Sequence, residues 1–400
     1  MAPAEPAERM VMPAESRASI GDEDARSARA ALSALAQPGD LEVGRRIAEL
    51  GPVRTLEALI AGDPGLQLRA ERLWGSRSPL EALRANGTRI LIPGDLEWPT
   101  QMDDLGEAAP FALWVVGDAD LRLIALRSVA IVGARAATAY GERVARNWAA
   151  ELADRQWTVI SGGAIGVDAA AHRGALDAGG VTACVLACGP DVAYPFAHAG
   201  LLARIADQGV LVSEAPPGTP ARRHRFLSRN RLIAALPRLT IVVEAATRSG
   251  TTATATAAAL MHRPVVAVPG PIGSAMSAGC HRLIREGAAT LATSVAEIVE
   301  LITEPGTSAS PEIIPARAGH AGRRLTDDLA PDVLRVLDAL QPRSPVPVDA
   351  ILTETGLRPQ VVAAALGELV TRGLARSSGR GWIVAADRQV VATGRPAARS

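Results

Sequence analysis

Residues 128–172 read SVAIVGARAATAYGERVARNWAAELADRQWTVISGGAIGVDAAAH, and this stretch decides the fold class. A short apolar run, Ser128–Val132, breaks at Gly133. A helical stretch, Ala139–Asp154, follows, and a second apolar run, Thr158–Ile160, ends in Ser161-Gly162-Gly163. Val144, Trp148 and Leu152 recur every four residues and predict the buried face of that helix. Strand, crossover helix and strand make a βαβ unit, whose two strands lie parallel in one sheet. The pattern continues downstream. Apolar runs at Thr182–Ala187, Val210–Ser213, Leu239–Val243, Val265–Val268 and Thr290-Leu291 alternate with helical stretches as far as about Leu301. The fold class is therefore α/β, a parallel sheet covered by helices on both faces, with ligands expected at the carboxyl ends of its strands.

Outward from this centre the chain changes character. Residues 29–86 carry short helical patterns at Ala30–Ala36, Leu41–Leu50, Val53–Ala61 and Pro79–Ala85. Pro38-Gly39, Gly51-Pro52 and Asp63-Pro64-Gly65 break them, so this reads as a small helical domain. The central domain is taken as residues 87–303, and its first part, Arg89–Gly117, reads as a connecting region with apolar runs at Ile90–Ile92 and Leu113–Val116. Residues 1–28 form a Pro/Ala/Glu/Arg-rich arm, expected to be mobile, and 304–326 a Pro/Gly/Ser/Ala-rich linker. In 327–386, helical stretches Pro331–Leu340, Pro347–Glu354 and Pro359–Arg372 precede a ribbon of Leu374–Ser377 and Gly381–Ala385, the pattern of a winged helix. Residues 387–400 read as a tail.

Composition closes off several functions. The 400 residues are 48% hydrophobic, too apolar for disorder throughout. No apolar run reaches the roughly 18 residues of a membrane span, and the start lacks an apolar signal core. Three cysteines (Cys184, Cys188, Cys280) cannot build a disulfide framework, so a reducing cytoplasm is the expected location. All 42 basic residues are arginine. The absence of lysine excludes a Walker-A phosphate lysine, a Schiff base and a kinase-type lysine. With a formal net charge of zero, any nucleic-acid binding must come from local basic clusters.

Chemistry gathers where the strands end. Gly133 and Arg135 follow the first run, with Thr138 placed to cap the next helix. Ser161, Gly162, Gly163 and Gly166 follow the second, and Ser249, Gly250, Thr251 and Thr252 open a helix after Leu239–Val243. Gly270 follows the Val265–Val268 run. Glycines allow close approach, and free backbone N–H groups at helix starts attract phosphate. The dinucleotide fingerprint is missing: Gly133-Ala134-Arg135 is not G-x-G-x-x-G, and no acid closes the second strand, so NAD is not expected. No cofactor or metal is expected.

The run Arg222-Arg223-His224-Arg225-Phe226-Leu227-Ser228-Arg229-Asn230-Arg231 holds five arginines and no acid, with Phe226 inside it. Either it is a solvated basic face, or it is a groove with an aromatic platform for a polynucleotide. Arg229 and Arg231 diverge by about 200° on a helix and so do different jobs, one toward ligand and one toward a carboxylate. Glu214 and Glu244 follow strands and are read as anchors for Arg229, Arg231 or Arg135, with an acid/base pair as the alternative. His172 and His198 lack a metal-ligand companion, Cys184 and Cys188 read as small buried thiols, and no G-x-S-x-G elbow occurs.

With these residues in view, the sequence resembles the bacterial DNA-processing protein A family (DprA, also called Smf). The motifs VGARAATAYG, VISGGAIGVDAAAH, VLACGPDVAYP, LVSEAPPG, FLSRNRLIAAL, VVEAATRSGTTATA, RPVVAVPG and SAGCHRLIREGA carry the resemblance in family order across Val129–Ala288. It implies an extended Rossmann-like domain, a helical N-terminal module of the SAM or helix-hairpin-helix kind and a C-terminal winged helix. It further implies a non-catalytic protein that binds and protects single-stranded DNA and loads the RecA recombinase in natural transformation, as a cytoplasmic homodimer. Carried over residue by residue, the implied DNA contacts are Gly133, Arg135, Ser161, Gly162, Arg229, Asn230, Arg231, Ser249, Gly250, Thr251 and Gly270. Ile165 stands where the family usually has arginine, and His281 where asparagine is common. The winged helix carries Arg358, Arg372, Arg376 and Arg380, which suit duplex DNA or a protein partner equally. A nucleotide phosphoribohydrolase using Glu244, or a nucleotide-sensing scaffold, is the alternative reading.

Overall fold

The structure, a computed structural model, describes residues 23–84, 87–247, 249–303, 329–340, 345–379 and 381–385. Most of the expected arm, the linker 304–326 and the tail 387–400 lie outside the described residues, as does Arg380 of the wing. The chain divides into two compact units, Met1–Thr307 and Ser308–Ser400.

The first unit is built on a nine-stranded sheet. Its strands are β1 (Thr88–Leu91), β2 (Leu113–Val116), β3 (Ser128–Val132), β4 (Thr158–Ser161), β5 (Thr182–Leu186), β6 (Val210–Ser213), β7 (Leu239–Val242), β8 (Val265–Ala267) and β9 (Thr290–Leu291). Their order is β1-β2-β6-β5-β4-β3-β7-β8-β9. From β6 through β9 every pair is parallel. The parallel strands therefore build outward from β3 in one direction as far as β6 and restart beside it with β7. That reversal puts a topological switch point between β3 and β7, where open α/β sheets form their ligand crevice.

Alternation along β3 shows how the sheet is covered. Val129 and Ile131 face a core shared with Ala145, Ala149 and Leu152 of the Ala139–Asp154 helix. Ala130 and Val132 face the opposite core, with Leu232, Ala235, Ala255 and Ala258. Both faces are buried, so the strands are apolar on both sides, as parallel strands require.

Three expectations need correction. The segment Arg89–Gly117 is not merely a connector: β1 and β2 pair antiparallel, with Thr88 opposite Val116, and β2 pairs antiparallel with β6. Their runs are too short to declare a strand by pattern alone. The Ala139–Asp154 helix buries Gly141, Ala145, Ala149 and Leu152, while Val144 and Trp148 are half-buried. Its small-residue face lies against the Val167–Asp177 helix so closely that a Cβ on Gly174 would sit 2.1 Å from the Arg146 carbonyl oxygen. Close helix approach selects small side chains, which a search for large apolar residues overlooks. Finally, residues 23–28 are not part of an arm. They begin the Glu23–Leu35 helix, and Arg26 grips Asp95 with two hydrogen bonds of 2.8 and 2.5 Å.

The helical segment rests on the sheet's antiparallel edge. Ala30, Ala34 and Leu83 share a core with Ile90, Ile92 and Trp114, and the Trp114 indole donates to Ser33 Oγ at 3.1 Å. A further helix, Pro64–Leu73, stands where the sequence reading saw only a break. Asp63 caps it by accepting from Gly65 and Leu66 N–H groups, and Pro64 occupies the first turn. The break was a helix start.

In the second unit, helices Pro331–Asp338, Val348–Thr355 and Pro359–Thr371 and a ribbon of β10 (Ala375–Ser378) and β11 (Gly381–Val384) enclose Val336, Ile351, Val362, Leu366 and Leu369. This is the expected winged helix. Arg372 pairs with Glu368 at 2.6 Å, and Arg376 is exposed.

One buried histidine ties the fold to pH. His172 is fully buried, with Nδ1 at 2.8 Å from Thr182 Oγ1, whose proton goes to the Val159 carbonyl. The imidazole therefore donates through Nδ1–H, and Nε2 has no partner among the described residues. Burial holds its pKa down at about 3, with nearby positive charge adding to the effect. The unfolded chain binds this proton below about 6.5 and the folded one does not, so stability falls as pH drops from about 6.5 toward 3. Between pH 7 and pH 5 the loss should be about 2 kcal/mol. Urea titrations at the two pH values should show it, and His172→Gln should flatten that part of the profile.

Candidate nucleic-acid interface

At the carboxyl ends of β3, β4 and β7 lies a cavity of about 710 Å³. The loop after β3 contributes Gly133, Ala134, Arg135 and Ala136 to its wall. The loop after β7 contributes Ala246, Ser249, Gly250 and Thr251, and the Arg223–Ala235 helix contributes Phe226, Arg229 and Asn230. Each loop has a local cause. Thr138 caps the helix after β3, its Oγ1 accepting from Gly141 N–H. Ser249 caps the Gly250–Leu260 helix by accepting from Thr251 N–H, which aims the positive end of that helix at the cavity. Gly166 has φ +87°, and a Cβ there would lie 2.5 Å from the Ala134 carbonyl oxygen, so glycine lets the β3 and β4 loops meet.

Electrostatics centre on one buried guanidinium. Arg229 is 6% exposed and donates through Nη1 to the carbonyls of Gly162, at 2.7 Å, and Val185. A Cβ on Gly162 would stand 2.4 Å from that nitrogen, so the backbone can approach only as glycine. Asp168, also buried, accepts from the N–H groups of Gly162 and Ala164. Burial lowers the Arg229 pKa and raises that of Asp168, and the charge of each opposes the shift of the other.

Phe226 stands above this buried pair. The Arg135 guanidinium lies 5.0 Å from its ring centroid and that of Arg229 5.9 Å, within cation–π range, and Tyr194 packs beside it at 5.4 Å. Arg135 is exposed and has no ion-pair partner among the described residues. An unpaired cation over an aromatic face, beside a helix start, can take a phosphate and an adjacent flat ring.

The structure gathers Gly133, Arg135, Arg229, Asn230, Ser249, Gly250 and Thr251 around this cavity. Four other residues lie elsewhere. Ser161 is buried, its hydroxyl donating to the Ile131 carbonyl at 2.6 Å. The Gly162 amide is used by Asp168 and its carbonyl by Arg229, so it offers no free N–H. Arg231 turns away and grips Glu214 at 2.6 and 2.8 Å. The Gly270 carbonyl lies 3.0 Å from His281 Nε2, outside the cavity lining.

The divergence expected of Arg229 and Arg231 is present, and Glu214 anchors Arg231 as expected. Among the described residues Glu244 anchors no arginine. It is 1% exposed, and its two carboxylate oxygens accept from Thr138 N–H at 2.9 Å and Thr138 Oγ1 at 2.6 Å. Tyr194 and Asp168 were missed in the sequence. Tyr194 is one of two tyrosines in the chain and follows the β5 strand end, while Asp168 sits in the first turn of the helix that the glycine loop opens. The cysteines are free and buried, and burial pushes the Cys184 thiol up to about 12 and those of Cys188 and Cys280 to about 11, values of unreactive thiols. Among the described residues no His/Cys/Asp/Glu group could hold a metal ion, and no helix is long and apolar enough to cross a membrane.

Fold and site together define a Rossmann-like α/β protein with a basic, aromatic-backed crevice at its switch point. The family model of DNA recombination-mediator protein A matches residues 89–303, and that of the DprA winged helix domain matches residues 321–379. A DNA processing protein DprA of Mycobacterium tuberculosis is 42% identical over 367 residues, covering 88% of this chain and 92% of its own. Protein Smf of Escherichia coli is 44% identical over 254 residues, covering 61% and 66%. The X-ray structure of DNA processing protein A from Streptococcus pneumoniae aligns with TM-score 0.60 at 28% identity, covering 70% of this chain and 99% of that one. The chain belongs to the DNA recombination-mediator protein A family, the DprA/Smf DNA-processing proteins.

The Arg231–Glu214 pair is 13% and 6% exposed, so removing one partner strands a poorly solvated charge. Arg231→Ala should cost about 3 kcal/mol of unfolding free energy in a denaturant titration. Because Arg231 does not line the cavity, oligonucleotide affinity of the folded protein should stay within about twofold of the parent.

Proposed function

We propose that this protein binds single-stranded DNA in the switch-point cavity, shields it, and passes it to the RecA recombinase, acting as a cytoplasmic homodimer without catalysis of its own. The observation that carries the reading is the exposed Arg135 guanidinium lying over Phe226 beside the start of the Gly250–Leu260 helix. Phosphate neutralises the arginine and meets the helix end, while a base finds the aromatic cluster of Phe226 and Tyr194. Nothing in that cluster presents a base-specific hydrogen-bond pattern, so binding should tolerate any sequence. The family's role as a recombination mediator supports RecA as the recipient.

Nucleotide hydrolysis is the weaker reading. It needs a carboxylate facing the ligand, and Glu244 is buried with both oxygens engaged by Thr138. The nearby Asp168 is committed to two backbone amides and to the charge of Arg229.

Fluorescence anisotropy with labelled oligo-dT should show submicromolar binding at low salt that weakens steeply as salt rises. Arg135→Ala should weaken it about tenfold and reduce the salt slope by about 0.7, the share of one single-strand phosphate. Phe226→Ala should cost about 1–3 kcal/mol with little change in that slope. Absence of binding at low salt refutes the proposal. Release of free base from adenosine monophosphate, abolished by Glu244→Gln, would establish hydrolysis instead.

A further inference from the structure

A second cavity, of about 720 Å³, lies where the helical segment meets the loop after β6. Pro216–Pro220 forms one wall, and Arg69 and Arg84 reach it from the helical side, opposite Arg222, His224 and Arg225. Among the described residues no acidic side chain lines it. None of these four arginines has a carboxylate partner among the described residues.

Two of them contact backbone carbonyls instead. Arg69 donates to the Ala34 carbonyl at 2.6 Å and to that of Leu35, at the carboxyl end of the Glu23–Leu35 helix. Among the described residues the Arg225 side chain makes one long bond, to the Pro220 carbonyl at 3.5 Å, and its buried Nε has no partner. Burial lowers the Arg225 pKa, and the neighbouring charges of Arg222 and Arg69 lower it further. Like charges packed around a polar cleft are relieved by an anion with several acceptor oxygens, for which arginine's planar fork is suited.

Arg222 lines both this cleft and the switch-point cavity, so the two form one basic track. We propose that the cleft is a second phosphate-binding subsite, which takes the sugar–phosphate chain of a single strand as it leaves the first cavity past Arg222. The proposal rests on reading the first cavity as the strand site. Continuity through Arg222 favours the same polynucleotide over an acidic peptide or a free phosphate ion. The helical segment thereby becomes part of the DNA-binding surface.

The test compares oligo-dT of about six nucleotides, enough for one cavity, with oligo-dT of about twenty, enough for both. Wild type should bind the longer strand more tightly. Arg84→Ala/Arg225→Gln should leave the short strand unchanged, weaken the long one about tenfold, and lower its salt slope by about 1.4, the share of two phosphates. Arg84→Glu, a single change at an exposed position, should act in the same direction and guards against loss of folding in the double variant. Long-strand affinity unchanged in both variants, or equal loss for short and long strands, overturns the second subsite while leaving the first standing. Wild type binding neither strand overturns both readings.

Discussion

The site depends on burying one arginine under a glycine. Arg229 enters the sheet edge from the Arg223–Ala235 helix and ends on the carbonyls of Gly162 and Val185, which belong to the strand ends of β4 and β5. A guanidinium so placed loses its water, a cost that hydrogen bonds and an opposing charge offset. The carbonyls supply the first and Asp168 the second, while Asp168 also orders the β4 loop by accepting from two of its amides. With the helix fixed, the other members of the arginine run are sorted by its geometry. Arg231 turns to Glu214, Phe226 and Asn230 face the switch-point cavity, and Arg222 and Arg225 face the neighbouring cleft. One buried charge thus orients several exposed ones.

Much of the parallel sheet was legible because its strands are apolar on both faces and end in glycine. The Ala139–Asp154 helix and the winged-helix elements followed the same logic. What the sequence concealed had physical causes. β1 and β2 are short and join the sheet antiparallel, through contacts that local pattern does not encode. The small-residue face of the Ala139–Asp154 helix is buried because a neighbouring helix comes close, which a hydrophobic stripe does not reveal. Asp63-Pro64-Gly65 serves as a stop and as a start, and only its capping bonds decide.

For the site, motif position located the cavity but not the direction of each side chain. Ser161 and Gly162 lie at a strand end as expected, yet they serve Arg229, Asp168 and the Ile131 carbonyl rather than facing solvent. Glu244 looked like an arginine anchor because it follows a strand, but Thr138 reaches it first. Spacing separated Arg229 from Arg231 correctly, since a two-residue step on a helix changes face. It could not say which of the two would be buried. Ile165, in place of the family's usual arginine, is 54% exposed and follows Ala164 of the cavity wall, where Arg135, Arg222 and Arg223 hold the positive charge.

The most direct measurement is a crystal structure of the protein with a short oligo-dT strand. A phosphate should lie within hydrogen-bonding distance of the Arg135 guanidinium and the Gly250 amide, with a base against Phe226 or Tyr194. A strand bound only to the winged helix, or one that leaves the switch-point cavity empty, would contradict it.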